Sequence, residues 1–219
     1  MGSAGAARGP CSKPTRPASL KALSETELST DHLRLRRFTE SDAEDLFNLD
    51  ADPAVMRFIT GGAGTPRETI ERQILPRFIR EQDQAGVFGF WAAEQPDGFV
   101  GWFSLRPIDG LPGEAALGYR LRQPSWGQGL ATEGCRLLVD RGFRLGNLER
   151  IVATTYEDNL GSIRVMQKLG MRFERRFHMD AASIAAMDTA DADPAYAFPG
   201  ADVEYVIVRR RWLAAEQIG

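Results

Sequence analysis

Two groups of residues in this chain have the types and spacing that suit a phosphate-bearing ligand. The first is the stretch from Trp126 to Glu133, which follows a strand-like run and carries two glycines just before a helical pattern. Backbone N–H groups beside such glycines can hold a phosphate oxygen at the positive end of a helix dipole. The second group is Asn159, Ser162 and Gly170, in which polar residues begin a helix and a glycine ends it. Alone, the first group equally fits an ordinary tight turn, and only the two groups together point to a ligand site.

The elements that must position these residues follow an α+β order. Strand-like runs cover His32–Phe38, Val87–Glu94, Phe99–Leu105, Glu114–Arg122, Arg150–Tyr156, Phe173–Met179 and Val203–Arg209. Helical patterns begin after the expected caps Thr39 and Thr65 and cover Leu130–Phe143 and Asn159–Leu169. Pro76 should kink or split the second helix. The pattern predicts a mixed sheet with helices on both faces.

Composition favours one catalytic-size domain over residues 31–219, preceded by a flexible extension over residues 1–30. The chain has 219 residues, 43% of them hydrophobic, which can fill one core. Residues 1–30 are rich in small, proline and basic residues without a clear period, although Leu20, Leu23 and Leu28 could form a short docked helix. A formal charge of −3 disfavours a nucleic-acid partner.

The chain also lacks the signals of a membrane, secreted or metal-binding protein. It has no apolar run long enough to span a bilayer and no secretion signal, so we expect a cytoplasmic protein. Two cysteines, Cys11 and Cys135, exclude a disulfide framework, and Cys135 reads as a buried filler within a helix. With only two histidines and no close ligand spacing, we expect no metal site.

With both motifs in this order, the chain resembles the GNAT family of acyl-CoA-dependent N-acetyltransferases. The strings LGYRLRQPSWGQGLATEG and EDNLGSIRVMQKLGMRFE resemble in particular its Rim-type branch, named for ribosomal-protein N-terminal acetyltransferases. The resemblance covers about Leu33 to Trp212. It implies a three-layer α/β/α fold with a mostly antiparallel sheet of six or seven strands. It also implies acetyl-CoA as co-substrate, a primary amine as acceptor and, from family habit, a homodimer.

The resemblance assigns acetyl-CoA to one turn, one strand and one helix start. The implied cofactor-binding residues are Tyr119, Arg120, Leu121, Trp126, Gly127, Gln128, Gly129, Leu130, Ala131, Thr132, Asn159 and Ser162. N–H groups of the turn would face the pyrophosphate, and the strand over 118–121 would leave its neighbour and bond the pantetheine arm through its backbone. An N–H on that strand could also stabilise the thioester oxyanion. The alternative for Asn159 and Ser162 is that they only cap a helix.

Two positions depart from the family's catalytic pattern. Met166 stands where many GNAT proteins have a tyrosine acid, and Ala116 stands where Rim-type relatives often have a glutamate. Neither side chain can move a proton. Glu114 lies two residues before Ala116 on the same strand face and is our candidate base, although it also reads as an exposed strand-start acid. Ser162 is the candidate acid.

Three functions remain open from the sequence. An α-amine has a pKa of about 7.7 to 8.0 and a lysine-like amine about 10.4, so a site with a weak base suits a protein or peptide N-terminus. The segment from 179 to 204 contains six acids and no Lys or Arg, and could attract a polyamine or aminoglycoside or be a solvated loop. Its acids are Asp180, Asp188, Asp191, Asp193, Asp202 and Glu204. A non-catalytic acyl-CoA-binding module is the third alternative.

Overall fold

A computed structural model describes residues 27–82, 86–178 and 200–216. Within these residues, eight strands form one sheet in the order β1-β2-β3-β4-β5-β6-β8-β7. They are β1 (Glu27–Ser29), β2 (Arg34–Arg36), β3 (Gly89–Gln95), β4 (Gly98–Ile108), β5 (Leu111–Leu121), β6 (Arg150–Tyr156), β7 (Arg172–Phe177) and β8 (Asp202–Val208). Neighbouring strands are antiparallel except β5 and β6, which are parallel. The predicted mixed, mostly antiparallel sheet is confirmed, with eight strands in place of six or seven.

Helices cover both faces of this sheet. They are α1 (Ala43–Asp50), α2 (Pro53–Met56), α3 (Arg67–Thr69), α4 (Leu75–Arg80), α5 (Leu130–Leu145), α6 (Leu160–Lys168) and α7 (Arg209–Glu216). A π-helical turn over Ile70–Ile74 joins α3 to α4, and Pro76 lies in the first turn of α4. Because proline lacks a backbone N–H, the predicted interruption near Pro76 takes the form of a change in helix type.

The sheet separates two apolar clusters. On one face, α5, α6 and α7 bury residues such as Leu138, Met166 and Trp212 against the strands. On the other face, α1 to α4 bury a second cluster that includes Leu46 and Phe78. Successive residues of β5 point to opposite faces of the sheet, as the two-residue period of a strand requires, and its apolar residues join the cluster under α5.

Several local signals in the sequence form as predicted. Thr39 and Asp42 make a capping box, in which each side chain meets the other residue's backbone N–H. Strand β6 has the predicted bounds, Arg150–Tyr156. Gly170 has φ 77° just after α6, the left-handed conformation predicted for a helix end.

Two local expectations need correction. Leu28 lies in β1 rather than in a docked helix, so the sheet begins inside the segment predicted as an extension. Thr65 does not cap α3, whose N-cap is Pro66. Instead, the Thr65 hydroxyl donates to the buried Asp50 carboxylate at 3.2 Å, and the Thr65 N–H donates to the Asp50 carbonyl. A long-range hydrogen bond thus takes the place of the local cap.

Candidate active site

The parallel strands β5 and β6 separate part-way along their length. Their pairing runs from Glu114 opposite Arg150 to Ala116 opposite Val152 and ends there. Strand β5 nonetheless continues to Leu121, paired on its other side with β4. The backbone N–H and C=O groups of successive residues point to alternate sides of a strand. Beyond Ala116, the groups of β5 that point toward β6 therefore form no hydrogen bonds to that strand. The opening is a slot in which an extended polar chain can bond to the backbone of β5.

The turn between β5 and α5 holds two glycines in the left-handed conformation. Gly127 has φ 75°, and Gly129, the N-cap of α5, has φ 86°. A Cβ on either residue would meet no other atom within 4 Å. The backbone angle, rather than crowding, therefore requires glycine here. The space in front of the turn is open to a ligand.

Two side chains fix this turn to the end of β5. The indole Nε1 of Trp126 donates to the Leu121 carbonyl at 2.8 Å, and Nε2 of Gln128 donates to the Pro124 carbonyl at 2.8 Å. The α5 ladder begins with the Glu133 N–H, which donates to the Gly129 carbonyl. The N–H groups before Glu133 have no carbonyl partner within the helix, as at every helix N-terminus. Together with the helix dipole, they favour binding of an anion.

A cavity of about 590 Å³ opens beside the same turn. Its lining includes Gly129 and Thr132, together with the cationic side chains Arg136 on α5 and Lys168 on α6. Thr30, Glu133, Leu137 and Asp140 complete the lining. A phosphorylated ligand held at the turn would thus have two cations nearby, while the carboxylates of Glu133 and Asp140 already bond to His32 and Arg144.

The second motif lies on the far side of the slot. Asn159 is the N-cap of α6, where its Oδ1 accepts from the Ser162 N–H at 3.2 Å. Its Nδ2 donates to the Thr155 hydroxyl of β6 at 3.0 Å. Asn159 therefore caps the helix, as the simpler alternative predicts, and also ties α6 to β6. Across the slot, the phenol of Tyr119 donates to Ser162 Oγ at 3.1 Å.

The fold thus brings together a slot between strands, a turn that favours an anion and a pair of hydroxyl groups. Comparison with known proteins identifies the family to which the chain belongs. A family model described as an acetyltransferase (GNAT) domain matches residues 32–172. The chain belongs to the GNAT acetyltransferase family. As a GNAT acetyltransferase, it acts on an amine acceptor.

Individual relatives agree with the family. The chain is 29% identical over 150 residues to the uncharacterised N-acetyltransferase p20 of Bacillus licheniformis, covering 67% of this chain and 83% of that one. It is 27% identical over 198 residues to the FsC-acetyl coenzyme A-N(2)-transacetylase of Aspergillus fumigatus, covering 87% and 79%. Among solved structures, RimL, a ribosomal alpha-N-protein acetyltransferase in complex with coenzyme A, superposes with TM-score 0.63 at 20% identity, covering 82% of this chain and 95% of that one. At that identity, the superposition shows the shared GNAT fold.

The remaining strand residues implied to bind the cofactor, Arg120 and Leu121, have side chains that lie away from the slot. The Arg120 guanidinium points to the opposite face of the sheet, where Nη1 lies 2.6 Å from Asp50 Oδ1. Leu121 is buried in the apolar cluster under α5, and its carbonyl accepts from Trp126. Neither side chain faces the slot. The Arg120 carbonyl also points to β4, where a Cβ on Gly101 would lie 2.1 Å from that oxygen. The predicted main-chain contact of these two residues with the cofactor therefore falls to Leu121.

The candidate base lies at the paired end of β5. Glu114 Oε2 is 3.3 Å from Nε of Arg150, beside the last residues that bond to β6. Ala116 is the last paired residue, and Met166 is buried in the core. The role of Glu114 as proton acceptor stays a prediction. In the structure, its carboxylate forms an ion pair with Arg150.

Three residues of this GNAT site were missed by reasoning from the sequence. Thr155 on β6 and Arg136 and Lys168 beside the cavity join the site through the fold. Lys168 directly precedes the Leu-Gly pair that follows α6, and Arg136 follows Thr132 by about one helical turn. These positions gave only a weak indication in the sequence that the two cations join the site.

Other predictions have mixed outcomes. Cys135 is fully buried, and burial raises its thiol pKa, which confirms its role as a core filler. Four acids of the 179–204 segment, Asp180, Asp188, Asp191 and Asp193, lie outside the described residues. Glu204 is buried in β8 and accepts two hydrogen bonds from Arg175. Among the described helices, none is long and apolar enough to cross a membrane.

Proposed function

We propose that this GNAT domain transfers an acetyl group from acetyl-CoA to the α-amine of a protein or peptide N-terminus. The observation that carries the proposal is the separation of β5 from β6 beside the left-handed glycine turn. This arrangement offers backbone donors for a diphosphate and, next to them, a slot for a thiol arm.

The residues present fit coenzyme A. The amides at the start of α5, near Gly129, would hold the pyrophosphate, and the backbone of β5 from Gly118 to Leu121 would bond the pantetheine arm. When bound, the thioester supplies an acetyl carbonyl that is activated toward a neutral amine. The cations Arg136 and Lys168 favour the phosphates of the nucleotide end.

The α-amine is the preferred acceptor because of its acidity. An α-ammonium has a pKa of about 7.7 to 8.0 and a lysine ammonium about 10.4, so deprotonating lysine at a given pH costs about 3.5 kcal/mol more. The candidate base Glu114 forms an ion pair with Arg150 at the paired end of β5, and neither Ala116 nor Met166 can move a proton. A site with little help from a base therefore selects the amine that is already partly neutral.

One peptide can test this preference. We expect the protein, incubated with acetyl-CoA and a peptide that carries a free N-terminus and one lysine, to acetylate the N-terminus, as located by mass spectrometry. The same peptide with a blocked N-terminus should lose nearly all labelling. The rate should fall about tenfold per pH unit below about pH 7.5, as the neutral fraction of the amine falls.

The alternatives give different results in the same assay. Acetylation confined to lysine, polyamines or aminoglycosides would reject the N-terminal acceptor and favour a small amine. Binding of acetyl-CoA without thiol release on any amine would indicate a module that binds acyl-CoA without turnover.

A further inference from the structure

A hydrogen bond spans the slot that β5 and β6 leave open. Tyr119 lies on β5 beyond the last residue that pairs with β6, and Ser162 lies in the first turn of α6. The Tyr119 phenol donates to Ser162 Oγ at 3.1 Å. Two hydroxyls therefore meet where the proposed thiol arm must pass.

Core packing fixes the Tyr119 side of this contact. The Tyr119 ring stacks with that of Phe103 on β4, with centroids 6.1 Å apart and planes at 29°. Phe103 is fully buried under α5, where a Cβ on Gly134 would lie only 2.4 Å from its ring. The ring pair has little room to move, so the position of the phenol oxygen is set by the core.

Helix capping fixes the Ser162 side. Asn159 accepts from the Ser162 N–H and donates to Thr155 of β6, so the start of α6 is anchored to the strand opposite Tyr119. A serine hydroxyl has one proton and two lone pairs. With the phenol proton on one lone pair, the serine's own proton must point away from Tyr119.

Tyr119 keeps its proton under working conditions. Burial raises the pKa of its phenol above the ordinary value, against a smaller opposing effect of the hydrogen bond with Ser162. The phenol therefore carries the proton that it donates to Ser162 at any pH suited to amine acetylation.

We propose that Tyr119 is a positioning residue for acetyl transfer, whose hydrogen bond turns the Ser162 hydroxyl toward the sulfur that leaves the thioester. This inference rests on the acetyltransferase function proposed above. In the reaction, the amine nitrogen bonds to the thioester carbon, the C–S bond breaks and its electron pair stays on sulfur. The amine proton passes to water, and the released thiolate takes a proton from water. Ser162 donates to the charged sulfur, and the phenol strengthens that donation by polarising the serine oxygen.

The test uses Tyr119→Phe, Ser162→Ala and the double variant, with Tyr205→Phe as the control. Tyr119→Phe keeps the ring stack, and Ser162→Ala keeps the N–H that Asn159 caps. Tyr205 is a buried tyrosine of the same apolar cluster, on β8. We measure kcat and KM for acetyl-CoA, and the thiol pKa of bound coenzyme A from the ultraviolet absorbance of its thiolate.

We expect Tyr119→Phe to lower kcat about tenfold with KM changed less than about twofold, which corresponds to about 1.4 kcal/mol of transition-state stabilisation. The thiol pKa of bound coenzyme A should rise by about one unit relative to the unmodified protein. The double variant should match Ser162→Ala in both measurements, because Tyr119 acts through Ser162. Tyr205→Phe should change neither.

Other outcomes would overturn the inference. Additive losses in the double variant would show that Tyr119 acts independently of Ser162, and a loss confined to KM or to thermal stability would make it a packing residue. If the protein binds coenzyme A but acetylates no amine, the proposed function fails while the thiol titration still decides this inference. If coenzyme A does not bind, both are rejected.

Discussion

The two halves of β5 differ in how they are held. The first half, up to Ala116, contains the residues that pair with β6, Glu114 to Ala116, and the partly exposed ion pair of Glu114 with Arg150. The second half, from Leu117 to Leu121, pairs with β4 alone. The first half is therefore a conventional part of the sheet, and the second half keeps one edge open for a ligand.

In the second half of β5, side-chain contacts to helices on both faces hold the strand on the side where β6 does not pair with it. Arg120 bonds to Asp50 on the α1 face, and its guanidinium lies over the Trp102 ring at 5.3 Å. Tyr119 bonds to Ser162 on the α6 face. Adjacent residues of one strand are thus anchored to helices on opposite faces of the sheet, through side-chain groups alone.

The largest effect is expected from breaking the buried anchor of the open half. Asp50 and Arg120 side chains are 2% and 7% exposed. Asp50→Asn leaves the guanidinium buried without its carboxylate, so we expect the free energy of unfolding to fall by about 3 to 5 kcal/mol, measured by urea denaturation at pH 7.

The matched control lies on the same helix. Asp45 pairs with Arg122 at 2.9 Å, but these side chains are 39% and 34% exposed. Solvent screens such a pair, so Asp45→Asn should cost no more than about 1 kcal/mol. Equal losses in the two variants would show that the Asp50 pair does not anchor β5 specifically.

A smaller effect is expected at the turns that flank β5. Gly110 precedes the closed half with φ 75°, Gly129 follows the open half with φ 86°, and a Cβ on either would meet no atom within 4 Å. Replacing each with alanine should therefore impose a similar backbone strain of about 1 to 2 kcal/mol. Only Gly129→Ala should weaken coenzyme A binding, by about tenfold in calorimetry. Equal affinities in the two variants would remove the left-handed turn from the ligand site.

The same contrast explains which parts of the molecule could be predicted from the sequence. Local signals succeeded: the bounds of β6, the capping pair Thr39 and Asp42, and Gly170 after α6 all depend on neighbours a few residues away. The glycine turn also follows from short-range backbone preferences. These signals located the turn, whereas the separation of β5 from β6 was implied by the resemblance to the GNAT family.

The anchors of the open half depend on contacts between distant parts of the chain. Asp50 and Arg120 are 70 residues apart, and Tyr119 and Ser162 are 43 apart. Nothing in the spacing of these residues indicates the pairs, because they form only when the helices pack on the sheet. The same cause misled the interpretation of Thr65, whose hydroxyl bonds to Asp50 rather than capping α3. The three residues of β1 were too few to show an alternation.

The smallest effect is expected at the closed half, from Glu114→Gln. The Glu114 and Arg150 side chains are 27% and 30% exposed, so loss of their ion pair should cost at most about 1 kcal/mol in urea denaturation. Because the carboxylate is held by Arg150 and an α-amine is already partly neutral at pH 8, we expect kcat to stay within about threefold of the unmodified protein. A general base contributes about 100-fold or more, so a loss of that size would assign the amine proton to Glu114. The closed half would then share in the chemistry, and the division of β5 into a structural half and a binding half would be wrong.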